Sequence, residues 1–192
     1  RSGIHNFTDD KDYETWMSQP KTHDKMLEII SKHPVDFQPN EKASYSNSNY
    51  VVLGYIIEKI TKKPYSIALK ERITSKLGLT NTEVGGKINI NSNECYSYSF
   101  DTHWKQEPET DMSIPGGAGA IISTPTDLTK FIEGLFSHKL LTEKSLAQMK
   151  TLQDGYGMGL FKFPFYDKEA LGHNGGIDGF ASIVGYFPED SL

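Results

Sequence analysis

The chain has 192 residues, of which 36% are hydrophobic and 23% charged, and this composition is typical of a globular protein, unlike disordered or collagenous sequences. With 25 acidic and 20 basic residues the net charge is −5, so the basic surface that phosphate backbones require is missing and nucleic acid is not expected as a partner. The most apolar stretch, Val51 to Ile57, is far shorter than the roughly 20 residues needed to cross a bilayer, so we expect no membrane span. The single cysteine, Cys95, excludes an intrachain disulfide.

Helical periodicity dominates the first two-thirds of the chain. Met26, Ile29 and Ile30, for example, follow the i, i+3, i+4 spacing of one helix face. Serine, threonine and proline signals place the helix starts near Thr22, at Ser46 to Ser48, at Pro64, at Thr124-Pro125 and near Thr142. The segment 85–119 has no sustained period and is expected to form long loops with short strands.

After Asp154 the pattern changes to short aromatic or β-branched runs separated by glycine and proline. These runs predict antiparallel strands over 156–163, 169–174 and 181–187. Helices first and strands last indicate an α+β fold, with a mainly helical region over 1–154 and antiparallel strands of an incomplete sheet over 155–192.

Motifs of the common cofactor classes are missing from the sequence. It contains no phosphate-binding Gly-x-x-x-x-Gly-Lys loop, no dinucleotide fingerprint, no His-Glu-x-x-His and no Gly-x-Ser-x-Gly. Asp10-Lys11-Asp12 begins like a calcium loop but lacks the glycine required at the sixth position. We therefore expect neither a metal nor an organic cofactor.

Two short motifs have the residue types of an acyl-transfer site. Tyr45-Ser46-Asn47 stands at a predicted helix start, where a phenol can accept a proton and an asparagine amide can bind an amide substrate. His173-Asn174-Gly175-Gly176 stands on a predicted strand, where the backbone can bind an extended substrate and the Gly176 N–H can approach a developing oxyanion. The Asn174 and Gly175 positions would form the same substrate-binding edge.

Each motif also has a structural interpretation. Tyr45 could be a hydrophobic staple that packs against Tyr50, with Asn47 a capping residue. His173 could be an ordinary hydrogen-bonded strand residue, and the glycines beside it could serve a turn.

Taken together, the ordered segments resemble the serine β-lactamase family, in particular its branch of class C β-lactamases, D-alanyl-D-alanine carboxypeptidases and esterase-like relatives. The segments that carry the resemblance are Ser2-Gly3-Ile4, Phe37 to Ile57, Pro64-Tyr65, Leu77 to Thr82, Pro115 to Gly119, Ser123 to Leu128, Tyr156 to Leu160 and Gly172 to Phe180.

The resemblance implies a β-lactamase/transpeptidase-like fold and roles for the two motifs. Tyr45 matches the tyrosine of the family's Tyr-x-Asn motif, a general base or proton relay, and Asn47 matches its substrate-binding asparagine. The triplet at 173–175 replaces the family's Lys-Thr-Gly, and Gly176 would supply one oxyanion N–H. The resemblance implies a β-lactam, a D-Ala-terminated peptide or an ester as the substrate. Because His173 replaces a charged lysine, esterase or peptidase activity is favoured over efficient β-lactam hydrolysis.

The family's nucleophile, the serine of Ser-x-x-Lys on a helix, has no convincing match. Ser18 and Lys21 have the spacing, but Pro20 between them would break a helix. We therefore expect the nucleophile upstream of Arg1 and this chain to be inactive by itself. The parent protein is expected to be a hydrolase of the cell envelope that acts on a small-molecule or peptide acyl substrate. The alternative is a non-catalytic domain of the same fold that binds peptides or cell-wall fragments.

Overall fold

Within residues 1–190, which the computed structural model describes, every α-helix ends by Lys150 and a three-stranded sheet follows. The helices are α1 (Tyr13–Trp16), α2 (His23–Ser31), α3 (Asn47–Thr61), α4 (Tyr65–Leu69), α5 (Ser75–Leu77), α6 (Pro125–Phe136) and α7 (Glu143–Lys150). The strands are β1 (Glu83–Val84), β2 (Tyr98–Phe100), β3 (Trp104–Gln106), β4 (Ile121–Ile122), β5 (Phe161–Phe165), β6 (Lys168–Ile177) and β7 (Phe180–Tyr186). Short 3₁₀ turns occupy Phe7–Asp9, Ile90–Ser92 and Gly116–Ala118, and a π-helical segment, Lys70–Thr74, joins α4 to α5. The predicted α+β fold class is confirmed.

Local sequence signals explain where several helices begin and end. Thr22, Thr124 and Thr142 are N-cap residues, and each side chain accepts a hydrogen bond from the backbone N–H three residues later. Pro125 opens α6, where its missing N–H costs nothing. Gly78 ends α5 in the left-handed conformation with φ of 64°, as expected for a glycine after a helix.

The chain forms two compact units. The first contains Arg1–Ala68, Val84–Ile121 and Gly176–Phe180, and the second contains Leu69–Glu83, Ile122–Gly175 and the chain from Ala181 onward. The candidate residues of both sequence motifs are distributed between these units.

The core of the first unit joins the N-terminal segment to α2 and α3. Its buried side chains are Phe7, Met26, Ile30, Val51 and Ile114. Phe7, Met26, Val51 and Ile114 are almost completely inaccessible to solvent, and each such side chain contributes about 1.5–3 kcal/mol to folding through burial.

Two glycines allow α3 to approach the 3₁₀ turn Gly116–Ala118 at backbone contact. A Cβ atom on Gly117 would lie 2.5 Å from the Tyr50 carbonyl oxygen, and one on Gly54 would lie 3.2 Å from the Gly117 nitrogen. No side chain larger than hydrogen fits at Gly117 unless the backbone moves. The Pro-Gly-Gly-Ala-Gly segment therefore fixes the position of α3.

The second unit has its own apolar core, formed by α6, α7 and strand residues. The buried members are Ile132, Leu135, Phe136, Leu146 and Leu160. The Phe136 ring stacks on Tyr186, with the ring centroids 4.2 Å apart.

Asp127 is a buried carboxylate at the start of α6 in the second unit. Its Oδ2 accepts hydrogen bonds from the Asn81 backbone N–H at 2.8 Å and from the Thr82 hydroxyl at 3.0 Å. Burial raises the pKa of Asp127, but these hydrogen bonds and the Lys130 ammonium together lower that pKa below its ordinary value. The carboxylate thus ties the segment after α5 to the first turn of α6.

The three-stranded sheet has the order β5-β6-β7, and β5 pairs antiparallel with β6. Within the described chain β5 is an edge strand, which explains how it tolerates Pro164 opposite Glu169. The first strand begins at Phe161, later than the predicted Tyr156. Gly155 and Gly159 adopt φ of 84° and 72°, which is incompatible with extended backbone, so 156–160 forms a loop.

Candidate functional site

Tyr45 lies two residues before α3, outside regular secondary structure, and its side chain is about half exposed. Ser46, the N-cap residue of α3, makes no side-chain bond to the helix itself. Its hydroxyl donates instead to the His5 carbonyl oxygen at 3.3 Å. The start of α3 is therefore attached to the N-terminal segment, and Tyr45 precedes this attachment point.

Asn47 is the first residue of α3, and two residues of the N-terminal segment hold it. Its backbone N–H donates to Asn6 Oδ1 at 3.0 Å, and its amide Nδ2 donates to Thr8 Oγ1 at 3.2 Å. Asn6 is itself fixed because its Nδ2 donates to Thr8 Oγ1 and to Asp9 Oδ1. The Asn47 amide has a defined orientation, with its Oδ1 left as an acceptor among the described residues.

Ser48 adds a buried link between the same two segments. Its hydroxyl donates to the His5 carbonyl oxygen at 2.6 Å and accepts from the Phe7 backbone N–H at 3.1 Å. Ser48 is completely buried, so these two bonds satisfy polar groups that water cannot reach. Ser48 thereby fixes the segment whose Asn6 and Thr8 orient Asn47.

His173 lies on β6 and is only partly buried. The Phe161 ring meets the His173 ring edge to face, with centroids 4.9 Å apart. His173 Nδ1 contacts the Asn174 carbonyl oxygen, which can only accept, so Nδ1 carries the hydrogen and Nε2 of the neutral ring is an acceptor.

The glycines of β6 differ in the space around them. A Cβ atom on Gly172 would lie 2.0 Å from the Val184 carbonyl oxygen, so the sheet itself requires this glycine. On Gly175 it would lie 2.8 Å from Ser182 Oγ. On Gly176 it would meet nothing closer than the Phe180 carbonyl oxygen at 3.9 Å. Position 176 therefore has room for a side chain among the described residues.

A two-residue Asp178-Gly179 turn follows β6, with φ of 50° and 82°. Positive φ at both residues is the pattern of a type I′ hairpin turn, for which Asp-Gly is a preferred sequence. Asp178 also holds the turn in place. Its carboxylate accepts from the Thr110 backbone N–H at 2.6 Å and from the Thr110 hydroxyl at 2.7 Å, and its carbonyl accepts from the Ser97 hydroxyl.

Tyr13 extends this network. Burial raises the pKa of the Tyr13 phenol, a hydrogen bond with the Thr110 side chain lowers it in part, and the Asp178 charge raises it further. The net pKa is above the ordinary value, so the Tyr13 phenol stays neutral. It supports the turn after Gly176 and is not itself a base.

The predicted site residues fall into two groups. Tyr45, Asn47 and Gly176 belong to the first unit, whereas 173–175 belong to the second. Ser18 and Lys21 lie after α1 in non-helical chain: the Ser18 hydroxyl donates to the Glu109 carbonyl oxygen at 2.7 Å and the Lys21 ammonium to the Gln19 carbonyl oxygen at 3.0 Å. This pair does not have the helical arrangement of the family's nucleophile.

The sequence motifs do not identify the residues that hold the site. Asn6 and Thr8 are 41 and 39 positions from Asn47, and no local pattern connects them. Asn6-Phe7-Thr8 has the form of a glycosylation acceptor, but Asn6 is almost fully buried and its amide is hydrogen-bonded within the fold. Asp178-Gly179 is different, because its hairpin signal can be recognised in the sequence.

A mainly helical region followed by an antiparallel sheet is the arrangement of a β-lactamase/transpeptidase-like fold. The chain belongs to the beta-lactamase family, whose profile matches residues 1–192. The predicted family is therefore confirmed.

Curated and solved relatives agree with this assignment. A teichoic acid D-alanine hydrolase of Staphylococcus aureus is 29% identical over 97% of this chain and 46% of its own length. A D-stereospecific amidohydrolase of Streptomyces sp. superposes with a TM-score of 0.88 at 29% identity, over 99% of this chain and 62% of that chain. A D-amino acid amidase of Ochrobactrum anthropi superposes with a TM-score of 0.82 at 32% identity, over 98% of this chain and 58% of that chain.

These relatives are hydrolases, and this chain spans about half the length of the curated relative. Among the described residues, no helix is both long and apolar enough to cross a membrane.

Proposed function

We propose that this chain is part of a serine acyl-hydrolase that cleaves a D-aminoacyl ester or amide through an acyl-enzyme. The observation that supports this proposal best is the orientation of Asn47. Asn6 and Thr8 fix its amide and leave Oδ1 as an acceptor, two residues after the half-exposed Tyr45. An acceptor held in this way suits recognition of an N–H group on the acyl part of the substrate, such as the amino group of a D-aminoacyl donor.

The reaction follows from the chemistry of these groups. A serine from a Ser-x-x-Lys helix upstream of this chain attacks the substrate carbonyl, and its proton passes to Tyr45 or the upstream lysine. The Gly176 N–H stabilises the oxyanion, and the alcohol or amine leaves with that proton. Water then hydrolyses the acyl-serine ester by the same route and releases the D-amino acid.

The substrate class rests on the three relatives, each named for activity on D-alanine, a D-amino acid or D-stereospecific substrates. β-Lactams and D-Ala-terminated peptides are the related acyl donors that the family resemblance implies. His173, in the place of a permanently charged lysine, favours acyl donors that need no carboxylate anchor. A location at the cell envelope follows from the teichoic acid substrate named for the Staphylococcus aureus relative.

The test compares Tyr45→Phe with Tyr98→Phe in the full-length protein that carries this chain. Both tyrosines are about half exposed, and Tyr98 lies on β2. If Tyr45 relays the proton, Tyr45→Phe lowers kcat/KM for a D-alanyl ester by about 10²–10⁴, whereas Tyr98→Phe leaves kcat/KM unchanged. Equal activities of the two variants would contradict the assigned role of Tyr45.

Gly176→Ala provides a second test, because position 176 has room for a methyl group in the fold. Alanine keeps the backbone N–H and adds only a methyl group, so we expect an unchanged unfolding midpoint and a higher KM for the D-alanyl ester, because the methyl group would lie in the path of a closely approaching substrate. The 192-residue chain alone should form no adduct with a penicillin probe. If the coding sequence upstream of Arg1 lacks Ser-x-x-Lys, the chain belongs instead to a binding protein of this fold.

A further inference from the structure

Two histidines and a carboxylate converge in the first unit, outside the candidate site. His33 Nε2 lies 2.9 Å and His5 Nε2 lies 3.4 Å from the same oxygen, Asp10 Oδ1. The two imidazole rings stack with centroids 4.3 Å apart, and the three potential ligand atoms all lie within 4.8 Å of one another.

The hydrogen bonds around His5 direct a lone pair into this cluster. His5 Nδ1 lies 2.9 Å from Asp36 Oδ1, and since an ionised carboxylate only accepts, Nδ1 carries the hydrogen. The Nε2 atom of neutral His5 then presents a lone pair to the Asp10 carboxylate. Either a proton on Nε2 or a metal ion between the two atoms would satisfy both of them.

His33 also directs a ring nitrogen at Asp10. Its Nε2 atom is buried and makes no hydrogen bond with any described residue, although Asp10 Oδ1 is close. An N–H on this nitrogen is therefore poorly aligned with Asp10. Two imidazole nitrogens and one carboxylate oxygen thus face a common point, where His33 Nε2 has no hydrogen-bond partner among the described residues.

The backbone holds these side chains in place. The Asp36 backbone N–H donates to the Gly3 carbonyl oxygen at 2.8 Å, which joins the segment that carries His33 to the segment that carries His5. Asp10 follows the 3₁₀ turn Phe7–Asp9, and its N–H donates to the Phe7 carbonyl oxygen. The cluster is part of an ordered fold and not a chance meeting of mobile side chains.

The ligand set and its spacing suit a zinc-type ion. Zn²⁺ binds imidazole nitrogen and carboxylate oxygen at about 2.0–2.1 Å, which places tetrahedral ligand atoms about 3.3 Å apart. The two measured separations from Asp10 Oδ1, 2.9 and 3.4 Å, lie on either side of that value. Zinc-bound histidines usually donate their other ring N–H to a carboxylate or carbonyl. Asp36, which accepts from His5 Nδ1, would be this second hydrogen-bond partner.

We propose that His5, Asp10 and His33 form a binding site for a divalent transition-metal ion of the zinc class, with Asp36 orienting His5. The exposed fractions of the three side chains, 24%, 9% and 31%, leave access for the ion and for a solvent ligand in the fourth position. The sequence motifs predict no metal, because ligands at positions 5, 10 and 33 match no known spacing. The site also joins the segment that contains Asn6 and Thr8, so metal binding would stiffen the support of Asn47.

The experiment measures zinc binding to the full-length protein after removal of tags and treatment with a chelator. We expect one zinc ion to bind per chain with a dissociation constant below about 10 µM. The unfolding temperature should be higher with zinc than without it. His33→Gln should weaken this binding by at least about 100-fold and abolish the thermal shift, whereas Asp36→Asn should weaken it by about 10–100-fold.

Two variants control for zinc bound elsewhere. His103→Gln removes an exposed histidine outside the cluster, and Cys95→Ser removes the exposed thiol, the other type of zinc ligand. Both should bind zinc like the parent protein. Near-ultraviolet circular dichroism of metal-free His33→Gln shows whether it folds. Equal affinities of folded His33→Gln and the parent protein, or no zinc bound at 100-fold excess over about 10 µM, would overturn the proposal.

Discussion

Replacing Ser48 by alanine should destabilise the first unit by about 2 kcal/mol. The substitution removes the acceptor of the Phe7 backbone N–H, a buried bond of 3.1 Å. An orphaned buried donor costs about 1–3 kcal/mol, and the slightly better helix propensity of alanine recovers only a few tenths. The His5 carbonyl keeps a partner, because the Ser46 hydroxyl still donates to it at 3.3 Å.

Ser46→Ala is the matched control for this prediction. Both serines stand at the start of α3 and both donate to the His5 carbonyl oxygen, but only Ser48 accepts from Phe7. Ser46→Ala should therefore cost less than about 1 kcal/mol. The double variant leaves the His5 carbonyl without either hydroxyl, so its cost should exceed the sum of the single costs by about 1 kcal/mol.

Urea unfolding and amide hydrogen exchange measure these effects. With a urea dependence of about 2–3 kcal/mol/M, the Ser48→Ala midpoint should fall by about 0.7–1 M. Exchange of the Phe7 amide should accelerate in Ser48→Ala and stay slow in Ser46→Ala, which locates the effect even if the two units unfold separately. Equal midpoints for the two single variants would refute the assigned role of Ser48.

Two further predictions concern the backbone contact of α3 and the buried carboxylate of the second unit. Gly117→Ala should cost about 1–3 kcal/mol, because its Cβ would lie 2.5 Å from the Tyr50 carbonyl oxygen, whereas Gly86→Ala, in open space, should leave the urea midpoint unchanged. Because the folded-state pKa of Asp127 lies below its ordinary 3.8, the stability that its ionised form contributes is present above that pH and is lost as the pH falls through the folded value. Asp127→Asn should therefore be less stable than the parent near neutral pH, and the difference between their urea midpoints should shrink as the pH falls below about 4. A difference independent of pH would contradict the linkage.

Local chemistry made parts of this fold predictable. The Thr124-Pro125 start of α6 follows from a side-chain cap and a fixed φ, both properties of adjacent residues. The first strand of the sheet was misplaced, because aromatic residues from Tyr156 suggest extended chain while the positive φ of Gly155 and Gly159 depends on the surrounding loop. The sequence pattern shows residue types that favour a strand. Whether such a segment forms a strand or a loop between glycines depends on tertiary packing.

In the candidate site, too, only features that depend on adjacent residues could be predicted from the sequence. Tyr45 and Asn47 could be singled out because they are neighbours in a short motif at a helix start. The residues that hold Asn47 could not be predicted in this way. Asn6 lies 41 positions before Asn47, and their contact exists only in the folded chain. The same holds for the proposed metal ligands, of which His33 is brought to Asp10 by the tertiary structure.

The N-terminal segment consequently has a more specific role than packing. His5 offers its carbonyl to the start of α3 and its ring to the proposed metal site, while the next residue, Asn6, orients the Asn47 amide. Under the proposed function, a change that shifts this segment should therefore alter substrate orientation before it unfolds the protein. If the proposed function is right, Asn6→Ala in the full-length protein should raise KM or lower kcat for a D-alanyl ester, although Tyr45 is unchanged. Wild-type kinetics in a folded Asn6→Ala variant would show that Asn47 does not depend on this support.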